Sequence, residues 1–197
     1  MIIDKAFYLR NDVVQIGQEL LGTILCTKIG DEITSGVIVE TEAYCGSIDQ
    51  ASHAYPNKLT NRNKIMFENG GRAYVYLIYG IHYLFNIVTN SSNMADAVLI
   101  RAIEPVSGVN LMMKRRGKNS MERITSGPGI LTEAMGIDKR FYGEDLTGNR
   151  VWLEYASENP EKIQIVKTTR IGVDYAGNDA NLPWRFYIKN NPWISKP

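Results

Sequence analysis

Apolar and polar positions alternate with period two between Ser35 and Tyr44, a stretch rich in β-branched residues. That alternation predicts a half-buried strand. On such a strand Ile38, Glu40, Glu42 and Tyr44 share one face, and Val37, Val39, Thr41 and Ala43 form the other, apolar face. A carboxylate and an aromatic ring then project side by side. Thr23 to Lys28 reads as a second strand. Before it, Asn11 or Asp12 is suited to cap a short helix through Gln18 to Leu21, which Gly22 ends.

Ala73 to Tyr79 is an aromatic strand, Gly80-Ile81-His82 allows a tight reversal, and Tyr83 to Thr89 returns. The pattern predicts a β-hairpin with Tyr79 at its tip. Tyr76 and Tyr79 are three apart, so on a regular strand they face opposite sides. Gly46 to Asn69 is polar and turn-rich, longer than a plain connector needs to be. Ala97 to Glu104 reads as a strand that carries Arg101 in an apolar run. Ser107 to Arg116 suits a helix closed by Gly117. Ser126-Gly127-Pro128 looks like a helix start, with Met135-Gly136 as its end. Short strands are expected at Val151–Tyr155, Ile163–Val166 and Trp184–Ile188. Strict alternation of strand and helix is absent. The expected fold is α+β: a single domain over residues 1–197 with a curved, mainly antiparallel β-sheet, short flanking helices and a protruding β-hairpin.

Composition narrows the class of protein. Hydrophobic residues make up 44% and charged residues 22% of the 197, which is ordinary globular usage. The longest apolar run, Ala73 to Val88, contains Gly80, His82 and Asn86 and falls short of the roughly 20 residues a membrane helix needs. No signal segment is visible at the start, so no membrane association and a cytoplasmic location are expected, nucleoid-associated in a bacterium. The two cysteines, Cys26 and Cys45, form no C-x-x-C pair, and His53 and His82 are the only histidines. Neither a zinc site nor a disulfide framework is expected. No G-x-G-x-x-G, P-loop, G-x-S-x-G or H-E-x-x-H pattern occurs, which removes the usual signatures of nucleotide cofactors, serine hydrolysis and zinc proteolysis.

The net charge of +1 hides an asymmetry. Residues 1–50 carry eight acids against three bases, whereas residues 51–72 carry Lys58, Arg62, Lys64 and Arg72 against Glu68 alone. Residues 101–123 add six bases against Glu104 and Glu122. A charge run is usually a solvated face, but two clusters flanking an aromatic segment suggest a phosphate-binding surface.

Glu42 is the leading candidate for chemistry. A lone strand glutamate ordinarily faces water; this one shares a face with Tyr44 in an apolar strand. Arg101 is similarly placed, and a carboxylate paired with it can hold and deprotonate a water. Glu40, on the same face, is the internal rival. His53 would ordinarily be a plain loop histidine, and Tyr44 and Tyr76 plain core or surface aromatics. Tyr79, at a hairpin tip, is harder to assign to a core. Such a tip can wedge into a stacked duplex where a base has been displaced. Asn86, among apolar residues, requires a hydrogen-bond partner. The set suits gripping a flat, electron-poor ring and hydrolysing the bond behind it. A lesion-binding module without catalysis would not need Glu42, and a hydrolase of free nucleosides would not need the wedge.

At these residues the chain resembles the alkyladenine (3-methyladenine, methylpurine) DNA glycosylase family. The matching segments are Val39 to Tyr44, His53, Thr60 to Phe67, Tyr74 to Gly80, Asn86-Ile87, Leu99 to Pro105, Ser126-Gly127-Pro128, Arg170 to Val173, Arg185-Phe186-Tyr187 and Pro192 to Ser195. Asn61 departs from the vertebrate pattern, which has proline there. The resemblance implies that Glu42 is the general base that activates water. It implies that Arg101 helps to hold that water, with the carbonyl of Ile171 as a third contact. Tyr44, His53 and Tyr76 then enclose a flipped base, Asn86 on the pocket floor disfavours guanine, and Tyr79 intercalates. Arg62, Lys64 and Arg72 become candidates for contacts to the DNA backbone. The implied partner is damaged double-stranded DNA, bound by a monomer that uses no metal or redox cofactor.

Overall fold

The computed structural model describes residues 1–156 and 163–196. Its longest strand, β2 (Glu32–Tyr44), is the axis of the sheet. One edge of β2 pairs first with β1 (Ile24–Ile29) and then with β8 (Arg185–Ile188). Along the other edge runs β5 (Asp96–Ser107), paired from Ser35 to Tyr44 with register shifts after Ser35, Ile38 and Glu40. Outside β5 lies the hairpin of β3 (Ala73–Ile78) and β4 (His82–Thr89), with β4 inward. β6 (Val151–Glu154) flanks β1, and β7 (Ile165–Thr168) flanks β8. All these pairings are antiparallel, so the α+β architecture with a curved antiparallel sheet is the one the pattern predicts.

The helices are short and sit where local chemistry starts and stops them. Asp12 caps α2 (Val13–Glu19) by accepting the Gln15 N–H at 2.8 Å, and Gly22 follows at φ +84°. A preceding turn, α1 (Lys5–Tyr8), is capped by Asp4 in the same way and is not evident from periodicity, being only four residues long. α3 (Val109–Arg115) starts two residues later than expected, because β5 continues through Pro105 to Ser107. α4 (Pro128–Met135) begins at the expected proline and ends on Gly136 at φ +70°.

The face assignment of β2 requires a correction. Ile38 pairs with Ile103, Glu40 with Ala102 and Thr41 with Ile100, leaving Val39 and Arg101 without partners. Each strand thus carries one extra residue, and the two bulges restore register within a few positions. The parity of β2 flips at the bulge. Ile38 joins Ala43 in the main core, whereas Val39 packs with Ala102 and Ile194 on the opposite side. Glu40, Glu42 and Tyr44 do not share a face with Ile38. Arg101 is two residues from Leu99, the partner of Glu42, and so shares the face of the two glutamates.

The main core lies beneath the opposite face, where α2, α4 and β8 meet Phe85, Ile87, Val98 and Ile100. Thr41 donates to the Gly17 carbonyl of α2 at 2.7 Å. A Cβ on Gly17 would lie 3.2 Å from the Phe186 ring, so glycine is what allows α2 to sit close on β8. Phe186 is wholly buried. Phe186→Ala is therefore expected to cost about 3–5 kcal/mol of stability, read as a fall in the urea midpoint; a loss within experimental error would mean that α2 closes onto the vacated space.

Candidate active site

Strand register builds the site. Tyr74 pairs with Asn86, Asn86 with Leu99, Leu99 with Glu42 and Glu42 with Arg185, a single row across β3, β4, β5, β2 and β8. In-register residues point to one face. Tyr74, Asn86, Leu99 and Glu42 line a cavity of about 570 Å³, with Tyr44, Tyr76, Leu84 and Ala97 beside them. His53 comes from the long loop after β2, Ile171 to Val173 from the segment before β8, and Gly127 to Ile130 from the start of α4.

Glu42 is fully buried and both its oxygens are occupied. Oε1 accepts the Ile171 backbone N–H at 2.8 Å. Oε2 accepts the Tyr44 hydroxyl at 2.8 Å and lies 3.3 Å from Nη1 of Arg101. Where the resemblance implied a role for the Ile171 carbonyl, the contact seen is with its N–H. Burial alone would lower the Arg101 guanidinium, but the charges of Glu42 and Glu40 outweigh it and raise it. Burial, and then the charge of Glu42, push the Tyr44 phenol well above its ordinary range, so Tyr44 is a donor to the carboxylate. Glu40 is also fully buried but does not line the cavity; it bonds Arg101, Arg185 and Ser195 instead.

The walls are aromatic. The centroids of Tyr74 and Tyr76 lie 5.1 Å apart, and His53 meets Tyr76 edge-on at 4.7 Å. His53 Nδ1 shares a 2.9 Å hydrogen bond with the Tyr74 hydroxyl. Desolvation against these rings, and then the charge of Arg62, hold the imidazole below its ordinary range, so it is neutral at neutral pH. Asn86 donates to the Tyr74 carbonyl at 3.1 Å, which supplies the partner its burial requires and fixes it on the cavity floor. Above the cavity the hairpin turns at Tyr79 and Gly80, both at positive φ. Tyr79 is 87% exposed, with Leu77 and Ile81 also exposed beside it. A tyrosine at φ +53° is an uncommon conformation, held here by the hydrogen bond from Ile81 N–H to the Ile78 carbonyl.

The basic candidates are arranged differently from one another. The Arg62 guanidinium lies over the Tyr76 ring at 4.7 Å and belongs to the cavity wall. Lys64 is exposed at the start of the 3-10 helix Lys64–Phe67. Arg72 is 3.4 Å from Asp145 and 3.7 Å from Glu68, so part of its charge is already met. Among the described residues no cluster of three or more His, Cys, Asp or Glu could hold a metal ion, and no helix is long and apolar enough to cross a membrane.

Sequence reasoning missed the support behind Tyr44. Arg170 lies over that ring at 4.8 Å and donates to the Ala43 carbonyl, to Asp49 and to the Asp179 carbonyl. The Asp49 and Arg170 side chains are both fully buried. Their pairing anchors the peptide that presents the Ile171 N–H to Glu42. Tyr175, another missed residue, stands 70% exposed at the cavity mouth and donates to the Ala51 carbonyl at 3.2 Å. An acid in a loop and an arginine 121 residues later leave no local signal of contact.

Known proteins match this chain over nearly its whole length. The sequence profile of the methylpurine-DNA glycosylase family matches residues 6–192. A protein of Alkaliphilus oremlandii is 45% identical over 204 residues, covering 100% of both chains. One from Natranaerobius thermophilus is 42% identical over 198 residues and 99% of each chain. One from Carboxydothermus hydrogenoformans is 45% identical over 196 residues and 100% of each. All three are provisionally named 3-methyladenine DNA glycosylases.

Removing Asp49 would leave the Arg170 cation buried without its counter-charge. Asp49→Ala is expected to lose about 3–5 kcal/mol of stability in urea denaturation. An unchanged midpoint would show that Arg170 finds another partner and that the Tyr44 support does not depend on this pair.

Proposed function

The chain belongs to the methylpurine-DNA glycosylase family, and from that premise we propose that it extrudes damaged purines from duplex DNA and hydrolyses their N-glycosidic bond, leaving an abasic site. The substrates are alkylated or deaminated purines of the 3-methyladenine, 7-methylguanine, hypoxanthine and ethenoadenine class. The observation that supports this most is the placement of Glu42. It is a buried, hydrogen-bonded carboxylate on the floor of an aromatic cavity that opens beneath an exposed tyrosine.

Alkylation at ring N3 or N7 makes the base cationic. Such a base leaves as a neutral species, and its charge is attracted to tyrosine faces, worth about 2 kcal/mol or more when desolvated. Stacking adds roughly 1–3 kcal/mol per base without needing a charge, which admits neutral lesions. Tyr44, Tyr76 and His53 enclose the ring. Asn86, pinned to the Tyr74 carbonyl, opposes the exocyclic amine of guanine. Extrusion costs a few kcal/mol, and Tyr79 offsets part of it by filling the vacated position. As the bond breaks, the sugar gains positive charge. Glu42 stabilises that charge and accepts a proton from the attacking water, which Arg101 helps to hold. No lysine lines the cavity among the described residues, which supports a monofunctional activity without a Schiff base.

Glu42→Gln keeps the shape of the site but not the base. It is expected to bind a lesion duplex as the native chain does while single-turnover excision falls by about 10²–10⁴-fold. Near-native excision would move the base elsewhere. Tyr79→Ser removes the wedge and is expected to weaken binding to the lesion duplex by roughly 1–3 kcal/mol. The readout is a fluorescent reporter base beside the lesion, whose signal rises on unstacking; a response equal to that of the native chain would remove the wedge role.

A further inference from the structure

Glu40 is a buried charge that the proposed chemistry does not use. Its Oε1 accepts from Arg101 Nε at 2.9 Å, Arg185 Nη1 at 2.9 Å and the Ser195 hydroxyl at 2.8 Å. Its Oε2 accepts the Ser195 backbone N–H at 2.6 Å. Arg101 is thereby held at each of its three nitrogens: Nε by Glu40, Nη2 by the Ser195 hydroxyl at 3.2 Å, and Nη1 facing Glu42 at 3.3 Å. The segment that closes this cluster is itself clamped. Arg123 donates to the Ser195 carbonyl at 3.0 Å and Arg185 to the Lys196 carbonyl at 2.9 Å.

We propose that Glu40 is a positioning residue for base release: with Arg185 and Ser195 it fixes Arg101 in the orientation that turns one guanidinium nitrogen toward Glu42, and it takes up cationic charge that would otherwise fall on Glu42 alone. This rests on Glu42 being the general base. An arginine free to pivot would form a two-pronged pair with Glu42 and hold it as a salt bridge instead of leaving it to take a proton. Glu40 prevents that by occupying Nε.

The charged and titratable groups facing Glu42 are Arg101 from β5, Arg185 from β8, Arg170 and Tyr175 from the segments flanking Ile171, Tyr76 from β3, and Tyr44 and Glu40 from its own strand. Removing an anion from this set makes Glu42 release its proton more readily, and removing a cation does the opposite. Excision requires the deprotonated base, so its rate has an acid limb. The test is the pH profile of single-turnover excision by the full chain on a duplex with one methylated purine. Glu40→Gln is expected to lower the plateau by about 10- to 100-fold through misplacement of Arg101. It is also expected to move the acid limb to lower pH. Arg185→Gln moves the limb to higher pH. Glu40→Asp keeps the charge and leaves the limb in place while the plateau falls.

Damage to the fold alone would lower plateaus without moving the limb in opposite directions. Limbs that stay put, or shift the same way in both neutralising variants, overturn the positioning role. If Glu40→Gln does not fold, Glu40→Asp decides the matter, since a native plateau in that shortened side chain overturns the positioning role. A native acid limb retained in Glu42→Gln would instead show that Glu42 is not the base, a failure of the premise that this profile separates from failure of the proposal.

Discussion

Two carboxylates and two guanidiniums, Glu40, Glu42, Arg101 and Arg185, share one desolvated site between β5, β2 and β8. Any of these ions buried alone would cost several kcal/mol. Together they sum to zero charge, and Ser195 satisfies lone pairs that the arginines leave open. Arg101 lies two residues from Leu99, the partner of Glu42, so strand alternation puts the arginine and the glutamates on one face, while the paired bulges at Val39 and Arg101 return Ile38 and Ile103 to the main core. The constraint reaches across the chain. Arg101 meets both glutamates within the β2–β5 pair, but Arg185 and Ser195 complete the set only when β8 and the segment after it close onto β2, so Ser195 is as much a part of this centre as the strand that carries Glu42.

Rigidity at the carboxylate and selectivity at the ring come from different sources. The ion cluster and the Asp49–Arg170 pair fix Glu42, Tyr44 and the Ile171 amide from behind. The opposite wall, Tyr74, Tyr76 and His53, is held mainly by ring contacts and one shared hydrogen bond. Such packing is sequence-tolerant: any planar ring gains from it. On the proposed function, discrimination therefore falls to the few polar groups that cannot move, Asn86 chief among them. A pocket that hydrogen-bonds or blocks with a fixed group rejects the wrong ligand more sharply than an apolar one.

Much of this was legible in the sequence because it is local. Alternation along β2 places Glu42 beside Tyr44, and the aromatic run with its glycine reversal gives the hairpin and its exposed tip. The Asp12 cap and the Gly127-Pro128 start fix two helices. What was not legible is non-local. A bulge changes parity without changing composition, so the face containing Ile38 was misassigned. Arg185 lies 145 residues from Glu40, and Arg170 lies 121 from Asp49. No spacing rule connects such partners; only the closing of β8 onto β2 brings them together.

Charge counts along the chain also leave out what each base already meets. Lys58, Lys64, Lys114 and Lys118 of the middle third are exposed, whereas several of its arginines are engaged with the chain itself. Arg101 serves the carboxylates, Arg62 covers Tyr76, and Arg115 and Arg116 meet the Ala134 carbonyl and Glu133. Arg123 holds the Ser195 carbonyl. Each guanidinium committed in this way is one fewer to displace counterions from a polyanion. For a protein proposed to act on DNA, the exposed bases attract any duplex alike, and recognition of the lesion falls to the hairpin tip and the cavity. Extrusion and stacking then decide where the chain dwells, and a base already loosened in its pairing costs least to take.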